Sequence, residues 1–245
     1  MKRILLLAMI VLLATACKKV TPETRIAQIS DFFDGKEAVY SAKLQQYAGD
    51  KKLDYLTLQL AGELGAKDIW TLEDDGGNSL VAEFPGKEKD NPQISMISAP
   101  LDDPTACALI LEVLEAYHTI KIQHKNTIRA VFYAPAPDST RPSGLASVNE
   151  DLHESGEFNS FDIELATRKD QPQHTFFLSE NPTFVEKLIQ IIPGYLAPLG
   201  DYQVEPETDP DPNWPLKGSI YRYYINPNEF QKEAAAVTAF SFLLN

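Results

Sequence analysis

Cysteine is almost missing from this 245-residue chain, which contains only Cys17 and Cys107. No CxxC pair occurs, so a cysteine zinc knuckle and a framework of several disulfides are both excluded. If Cys17 is modified, Cys107 has no partner for an internal disulfide. Cys107 belongs to a long apolar segment that is typical of a buried helix, and we expect it to be a small core residue.

Basic residues are also scarce, because 22 Lys and Arg stand against 35 Asp and Glu and give a formal net charge of -13. A chain this acidic is a poor candidate for binding nucleic acid or anionic headgroups. The sequence contains no glycine-rich phosphate loop, no G-x-S-x-G motif and no HExxH spacing. Each histidine is therefore predicted to be a surface or core residue and not a metal ligand. The four histidines are His118, His124, His153 and His174.

A run of apolar residues opens the chain in the segment MKRILLLAMIVLLATAC. The basic start, the short apolar stretch and the small residues before Cys17 predict an export signal over residues 1–16. A small-residue pair directly before cysteine resembles a bacterial lipobox, with Ala14 at the position where leucine is commonest. This resemblance implies a lipidated Cys17, a tether over residues 17–21 and attachment to a bacterial cell envelope. The alternative is an ordinary signal peptide that is cut nearby.

The composition is 44% hydrophobic, which is enough for a full core in one domain over residues 22–245. A helical lead-in is followed by two strand patterns separated by the turn Asp75-Gly76-Gly77-Asn78, and strand and helix patterns then alternate. This alternation predicts an α/β fold with three layers, helix, sheet and helix, around a mostly parallel sheet. The acidic, proline-rich segment ETDPDPNWP (Glu207–Pro215) is expected to form a surface loop.

Four segments together resemble a known family. They are the hairpin strand that ends in LVAEFPG, the strand–helix pair ISMISAPLDDPTACALILEVLEAY, the strand TIRAVFYA and the following Gly144-Leu145-Ala146-Ser147. In this order they are similar to the co-catalytic zinc aminopeptidases (metallopeptidase family twenty-eight), whose relatives include glutaminyl cyclase and the transferrin-receptor ectodomain. The resemblance covers most of the chain after the signal, and it implies a zinc-exopeptidase-like fold with a mixed sheet. It also implies a site for two zinc ions at the strand ends.

Carried over residue by residue, the family's site is degenerate. Pro100 replaces the histidine ligand of the family's A-H-x-D motif, and a proline side chain cannot bind a metal. Asp102 takes the place of the aspartate that orients this histidine, and Asp103 that of the aspartate that bridges the two ions. Ala136 and Pro137 occupy the paired-glutamate position, which implies the loss of the general base together with one ligand.

Two later positions complete the comparison with the family. Glu164 in FDIELA falls at an aspartate ligand and keeps a carboxylate, whereas Asn213 takes the position of a late histidine and is a poor zinc ligand. The surviving potential ligands are therefore Asp102, Asp103 and Glu164. Three carboxylates suit calcium or magnesium better than zinc.

Some of these residues have a simpler interpretation. Asp103 followed by Pro104 is the pattern of a helix N-cap followed by proline at the first helical position, whereas Asp102 has no such explanation. Aromatic residues near the acidic loop could line a binding groove, or they could be half-buried residues of the sheet. They are Trp214, Tyr221 and Tyr223.

Three functions follow from these patterns. The favoured hypothesis is a non-catalytic lipoprotein of the cell envelope, a pseudo-peptidase without a cofactor that binds a peptide or protein partner. The alternative is a divergent metal-dependent exopeptidase in which Asp102, Asp103 and Glu164 hold zinc, calcium or magnesium. A third hypothesis is a structural lipoprotein without a small-molecule site.

Overall fold

The structure is a computed structural model that describes residues 20–74, 77–88, 93–135, 144–167, 174–179, 182–206 and 220–244. The helices in these ranges are α1 (Pro22–Phe33), α2 (Val39–Leu44), α3 (Asp50–Leu58), α4 (Pro104–Thr119), α5 (Gly144–Glu154), α6 (Pro182–Leu196) and α7 (Phe230–Leu244). The strands are β1 (Asp68–Asp74), β2 (Gly77–Phe84), β3 (Gln93–Pro100), β4 (Thr127–Tyr133), β5 (Phe158–Ala166), β6 (Thr175–Ser179), β7 (Gln203–Pro206) and β8 (Ile220–Tyr224). A π-helical turn, Gln59–Glu63, extends α3, and a 3-10 turn, Pro227–Glu229, precedes α7.

The eight strands form one sheet in the order β1-β2-β4-β3-β5-β8-β6-β7. Strand β3 pairs in parallel with β4 and β5, β5 with β8, and β6 with β7, while the other three pairs are antiparallel. Because β3, β4 and β5 run in the same direction, their carboxyl ends meet at one side of the sheet, which we call the carboxyl edge. The predicted α/β fold with a mostly parallel mixed sheet is confirmed.

The central strands β3 and β4 are buried along nearly their whole length. Their sequences, QISMISAP and TIRAVFY, consist mainly of apolar and small residues and do not alternate with exposed polar ones. Strands of this kind need cover on both faces. The pattern therefore explains why these two segments lie at the centre of the sheet and not at its edge.

Helices cover both faces of the sheet, which confirms the predicted three-layer arrangement. On one face α4 packs on β3 and β5 and against α7, while α1 packs on α7 and α2 on α4. This α4 face encloses the larger apolar core, which includes Phe132 and Phe240. On the other face α5 packs on β1, β2, β4 and β5. This α5 face encloses a smaller core, which includes Met96 and Leu152.

Two elements differ from the expectation drawn from the sequence. The pattern predicts a helix start at Asn149, whereas α5 already begins at Gly144, because Leu145 and Val148 are buried in the core of the α5 face. Strand β7 is not predicted at all, since its four residues bury only Val204 and show no clear alternation. None of the described helices combines the length and apolar character that crossing a membrane requires.

Candidate functional site

Strand β3 ends at Pro100, beside the end of β4 at the carboxyl edge. A tight turn then leads directly into α4. The Asp103 amide donates a hydrogen bond to the Pro100 carbonyl at 3.0 Å, and the buried Cys107 thiol donates to the same carbonyl at 3.4 Å. Burial raises the pKa of the Cys107 thiol, so this cysteine is an unreactive core residue, as the sequence predicts.

Asp103 is the N-cap of α4, and both of its carboxylate oxygens are engaged. Oδ1 accepts hydrogen bonds from the Ala106 amide at 2.9 Å and from the Thr167 hydroxyl at 3.0 Å. Oδ2 accepts a hydrogen bond from the Thr167 amide at 2.6 Å. Thr167 directly follows β5, so one side chain joins the start of α4 to the end of β5. The capping role predicted for Asp103 is confirmed.

Asp102 is exposed and lines a cleft of about 550 Å³ at the carboxyl edge. The start of α3 also lines this cleft, with Gly49 and Lys52, as does Pro135 beyond the end of β4. The Lys52 ammonium donates a hydrogen bond to the Leu101 carbonyl at 2.7 Å, which joins α3 to the turn after β3. No side chain caps the start of α3, and the Lys52 amide donates to the Gly49 carbonyl at 2.9 Å, so the Asp50 and Lys51 amides are the ones that can donate to a ligand.

Glu164 is buried in β5 and is held by two donors, one from β4 and one from β8. One oxygen accepts a hydrogen bond from the Tyr133 hydroxyl at 2.7 Å, and the other accepts one from Nε of Arg222 at 2.9 Å. Burial, together with the charge of Glu164, raises the pKa of Tyr133 above its ordinary value, so its hydroxyl stays a donor. The carboxylate that the resemblance assigns to a metal is therefore bound by a phenol and a guanidinium.

The three surviving carboxylates are not brought together. Among the described residues, one group of three His, Cys, Asp or Glu side chains places its ligand atoms within 4.8 Å of one another, and Asp102, Asp103 and Glu164 are not in it. The oxygens of Asp103 accept hydrogen bonds from the first turn of α4 and from Thr167. Those of Glu164 accept hydrogen bonds from Tyr133 and Arg222. In the described part of the chain, these three carboxylates do not form such a group.

Several predicted positions lie outside the described residues. They are Cys17, Ala136, Pro137, Asn213 and Trp214. The backbone of Tyr221 is part of β8, and its side chain is not described. Tyr223 is fully buried in the core of the α4 face, where its ring stacks on Phe176 with the centroids 4.3 Å apart. Of the two alternatives for Tyr223, its position agrees with a residue of the sheet and not with a groove, because the strand directs this side chain into the core.

Asp162 is a buried acid that the motif comparison misses. It lies two residues before Glu164 on β5, so both side chains are on the same face of the strand. The Ser98 hydroxyl donates to Oδ1 of Asp162 at 2.9 Å, while Oδ2 has no hydrogen-bond partner in the described part of the chain. Burial raises the pKa of Asp162 to about 7, although the Ser98 hydrogen bond opposes this effect. The signal in the sequence is an acid at every second position of a buried strand, FDIELA.

No protein-family model and no curated protein matches this sequence. The fold, in contrast, matches solved structures. The LapA aminopeptidase of Legionella pneumophila has a TM-score of 0.61 and 16% identity, over 91% of this chain and 75% of that one. A protein from Bacteroides vulgatus that is provisionally named a Zn-dependent exopeptidase has a TM-score of 0.60 and 16% identity, over 84% and 96% of the two chains. Glutaminyl cyclase of Porphyromonas gingivalis has a TM-score of 0.58 and 14% identity, over 85% and 96%.

These similarities confirm, at the level of the fold, the resemblance found in the sequence motifs. The chain has a zinc-exopeptidase-like fold. Because identities of 14–16% show the fold alone, the function has to be argued from the residues at the carboxyl edge.

Proposed function

We propose that this chain is a non-catalytic, lipid-anchored protein of the bacterial cell envelope that uses its exopeptidase-like fold to bind a peptide or protein partner. The binding surface is the cleft beside Asp102 at the carboxyl edge. One observation carries the proposal: the carboxylates that stand at the family's ligand positions are occupied by protein donors. Asp103 is bound by Ala106 and Thr167, and Glu164 by other side chains.

The chemistry of the substituted positions supports the loss of catalysis. Hydrolysis of the family's kind needs a metal to acidify water and a carboxylate to take the proton. The Pro100 side chain has no atom that can bind the metal, and the side chains of Ala136 and Pro137 provide no base. Asp103 cannot bridge two ions while it caps α4 and binds Thr167.

The size and polarity of the cleft support a peptide ligand. A volume of about 550 Å³ lies within the range of ligand pockets and accommodates a short peptide. The exposed Asp102 carboxylate can pair with an ammonium group, and the uncapped amides of α3 can donate to a carbonyl or carboxylate oxygen. A free peptide amino terminus is the group that best matches Asp102.

Peptide binding can be measured by fluorescence anisotropy with a labelled random tripeptide pool that has free amino termini. We expect acetylation of the amino termini, or the substitution Asp102→Asn, to weaken binding by roughly tenfold, because a charge-assisted hydrogen bond is lost. Asp54→Asn removes an exposed acid of α3 that does not line the cleft, and this control should bind like the wild type. Equal binding of free and acetylated peptides would contradict the assigned role of Asp102.

Catalysis is tested with aminoacyl-nitroanilides, with and without added Zn²⁺. We expect no release of nitroaniline above the buffer control. Zn²⁺-dependent hydrolysis that disappears in Asp103→Asn, but persists in the exposed control Glu150→Gln, would support the metallo-exopeptidase and refute a non-catalytic protein.

Lipid attachment is supported by the small residues that precede Cys17 in the opening segment. Metabolic labelling with an alkyne fatty acid should label the wild type and Cys107→Ala but not Cys17→Ala. Labelling of Cys17→Ala at the wild-type level would exclude Cys17 as the acylated residue.

A further inference from the structure

A second cluster of titratable side chains lies beside the sheet, away from the cleft. His174 immediately precedes β6, Glu229 ends the 3-10 turn before α7, and Glu233 lies in the first turn of α7. In the sheet, β8 separates β6 from β5. The cluster therefore lies outside the positions that the family resemblance assigns to zinc, and it is independent of the proposed peptide-binding cleft.

The three side chains converge on one another. Nε2 of His174 lies 3.2 Å from a carboxylate oxygen of Glu229, and Nδ1 lies 3.3 Å from Oε1 of Glu233. One nitrogen or oxygen from each residue lies within 4.8 Å of the other two. The ring of Tyr202 packs edge-on against the imidazole, with the ring centroids 5.4 Å apart. The cluster thus offers one imidazole nitrogen and two carboxylates from two separate parts of the chain.

Glu233 gives an independent indication that a ligand belongs here. Its side chain is completely buried, and one oxygen accepts a hydrogen bond from the Tyr223 hydroxyl. The other oxygen, Oε1, faces His174 but has no hydrogen-bond partner within the described ranges. An unpartnered buried carboxylate oxygen is unfavourable. A cation at Oε1 would remove this cost.

The backbone of His174 adopts a conformation that is unusual for a residue other than glycine. It lies in the left-handed region at φ 60°, which non-glycine residues adopt at a cost in free energy. The His174 carbonyl accepts a hydrogen bond from the Gln203 amide at 2.8 Å, which helps to hold this conformation. This strain indicates that histidine occupies the position because of its side chain and not because it forms the turn easily.

We propose that His174, Glu229 and Glu233 bind one divalent transition-metal ion, for which Zn²⁺ is the best fit. Zinc accepts one imidazole nitrogen and two carboxylate oxygens as ligands, whereas calcium and magnesium prefer oxygen ligands alone. An imidazole binds a metal through one nitrogen only, so the Glu229 side chain has to rotate towards the nitrogen that Glu233 faces. Glu229 is 36% exposed and its other oxygen forms only an exposed ion pair with Lys232, so this rotation is unobstructed by the core.

The bound ion would have a structural role. It would join the start of β6 to the start of α7, and the Tyr223 hydroxyl would orient Glu233 as an outer partner of the ion. Binding of the ion would therefore stabilise the folded state, because the three ligands are adjacent only when β6 and α7 are in place.

The proposal is tested on the full chain, purified in detergent and freed of metal with a chelator. Isothermal titration with Zn²⁺ should give one equivalent, and Co²⁺ should give the visible absorption bands of a low-coordinate cobalt site. His174→Asn removes the imidazole while keeping a residue that tolerates the left-handed backbone, and Glu229→Gln changes a partly exposed side chain. We expect each variant to weaken binding by at least roughly tenfold.

His153→Asn is the matched control, because His153 is an exposed histidine on α5. It should bind Zn²⁺ like the wild type. Zn²⁺ at a hundredfold excess over its Kd should raise Tm by roughly 5–10 °C in the wild type and in His153→Asn, and the chelator should reverse the rise. At the same Zn²⁺ concentration, His174→Asn should show at most roughly half of this rise, because its binding is weaker by at least roughly tenfold.

The absence of stoichiometric Zn²⁺ uptake would overturn the proposal, and so would uptake that is unchanged in both His174→Asn and Glu229→Gln. Calcium binding as tight as zinc binding would also overturn it, because it would show that the imidazole contributes nothing. The hydrolysis and tripeptide assays are read from variants at the carboxyl edge, so a failure there is distinguishable from a failure of this metal site.

Discussion

Two pairs of acidic side chains in this molecule differ in the number of hydrogen-bond donors that surround the carboxyl group. The family resemblance assigns Asp103 and Glu164 to zinc, and each receives donors on both oxygens. Asp162 and Glu233 are completely buried, and in each of them one oxygen has no hydrogen-bond partner among the described residues. Burial raises the pKa of both of these groups, to about 7 and about 8.

The comparison shows how protein donors can stabilise a carboxylate that is partly or fully withdrawn from water. The cost of keeping a negative charge away from water is offset by hydroxyl, amide and guanidinium donors that take the place of the cation. Where such donors are missing, the protein has two solutions, to hold the proton or to bind a cation. Asp162 can hold the proton, while Glu233 faces an imidazole that can share a metal with it.

The largest effect is expected for Glu164→Ala, which removes the acceptor of both Tyr133 and Arg222. Breaking a buried, hydrogen-bonded ion pair on one side leaves polar groups without their partner, and we expect a loss of about 4 kcal/mol in the free energy of unfolding. Urea unfolding followed by circular dichroism measures this change. Glu150→Ala, at an exposed position of α5, should change stability by less than about 0.5 kcal/mol. A loss in Glu164→Ala as small as in this control would mean that the donors contribute little.

The second-largest loss of stability is expected at Asp103, with the adjacent Asp102 as its comparison. Asp103→Ala removes the N-cap of α4 and the link to Thr167, and we expect a loss of about 3 kcal/mol. Asp102→Ala removes an exposed carboxylate and should stay within about 0.5 kcal/mol of the wild type. Similar losses in the two variants, measured by the same urea experiment, would show that Asp103 is not distinguished by its hydrogen bonds.

The third effect concerns Asp162 and depends on pH. Because its pKa rises from 3.8 to about 7 on folding, the folded state keeps a proton that the unfolded state has lost. The stability from this proton is complete below pH 3.8 and is lost as the pH rises through 7. Asp162→Asn, which carries no charge, should therefore be more stable than the wild type at pH 8, and most of this advantage should vanish near pH 4.

The control for this prediction is the difference between the wild type and Asp162→Asn, measured over the same pH range. Glu233 is present in both proteins, so its own titration cancels when the two curves of unfolding free energy against pH are subtracted. A difference that stays constant between pH 4 and pH 8 would show that Asp162 does not take up a proton on folding.

Much of the fold could be predicted from the sequence because its strands and helices carry local signals. The hairpin, the buried strand β3 and the Asp103 cap all depend on neighbouring residues. The partners of Glu164 could not be predicted, since Tyr133 and Arg222 lie 31 and 58 residues away and neither forms a motif with it. The environment of Tyr223 stays open in the sequence for a similar reason, because alternation separates the two faces of a strand but does not say which one faces the helices.

The cluster around His174 was missed for a related reason. A lone histidine before a strand has no metal-binding spacing, and its two acidic neighbours follow only after two further strands and a helix. Chain topology, and not sequence distance, places them together. Metal ligands that come from separate elements are therefore beyond the reach of a motif search.

The alkylation rate of the Cys107 thiol can be used to follow local opening of the structure. This thiol is buried beneath the junction between β3 and α4, and its hydrogen bond to the Pro100 carbonyl closes the turn that carries Asp102. If Cys17 is acylated as proposed, Cys107 is the one thiol in the sequence that a reagent could modify. The rate of its alkylation would therefore report how often the junction opens, and a peptide seated in the cleft should slow that rate without itself touching the sulfur.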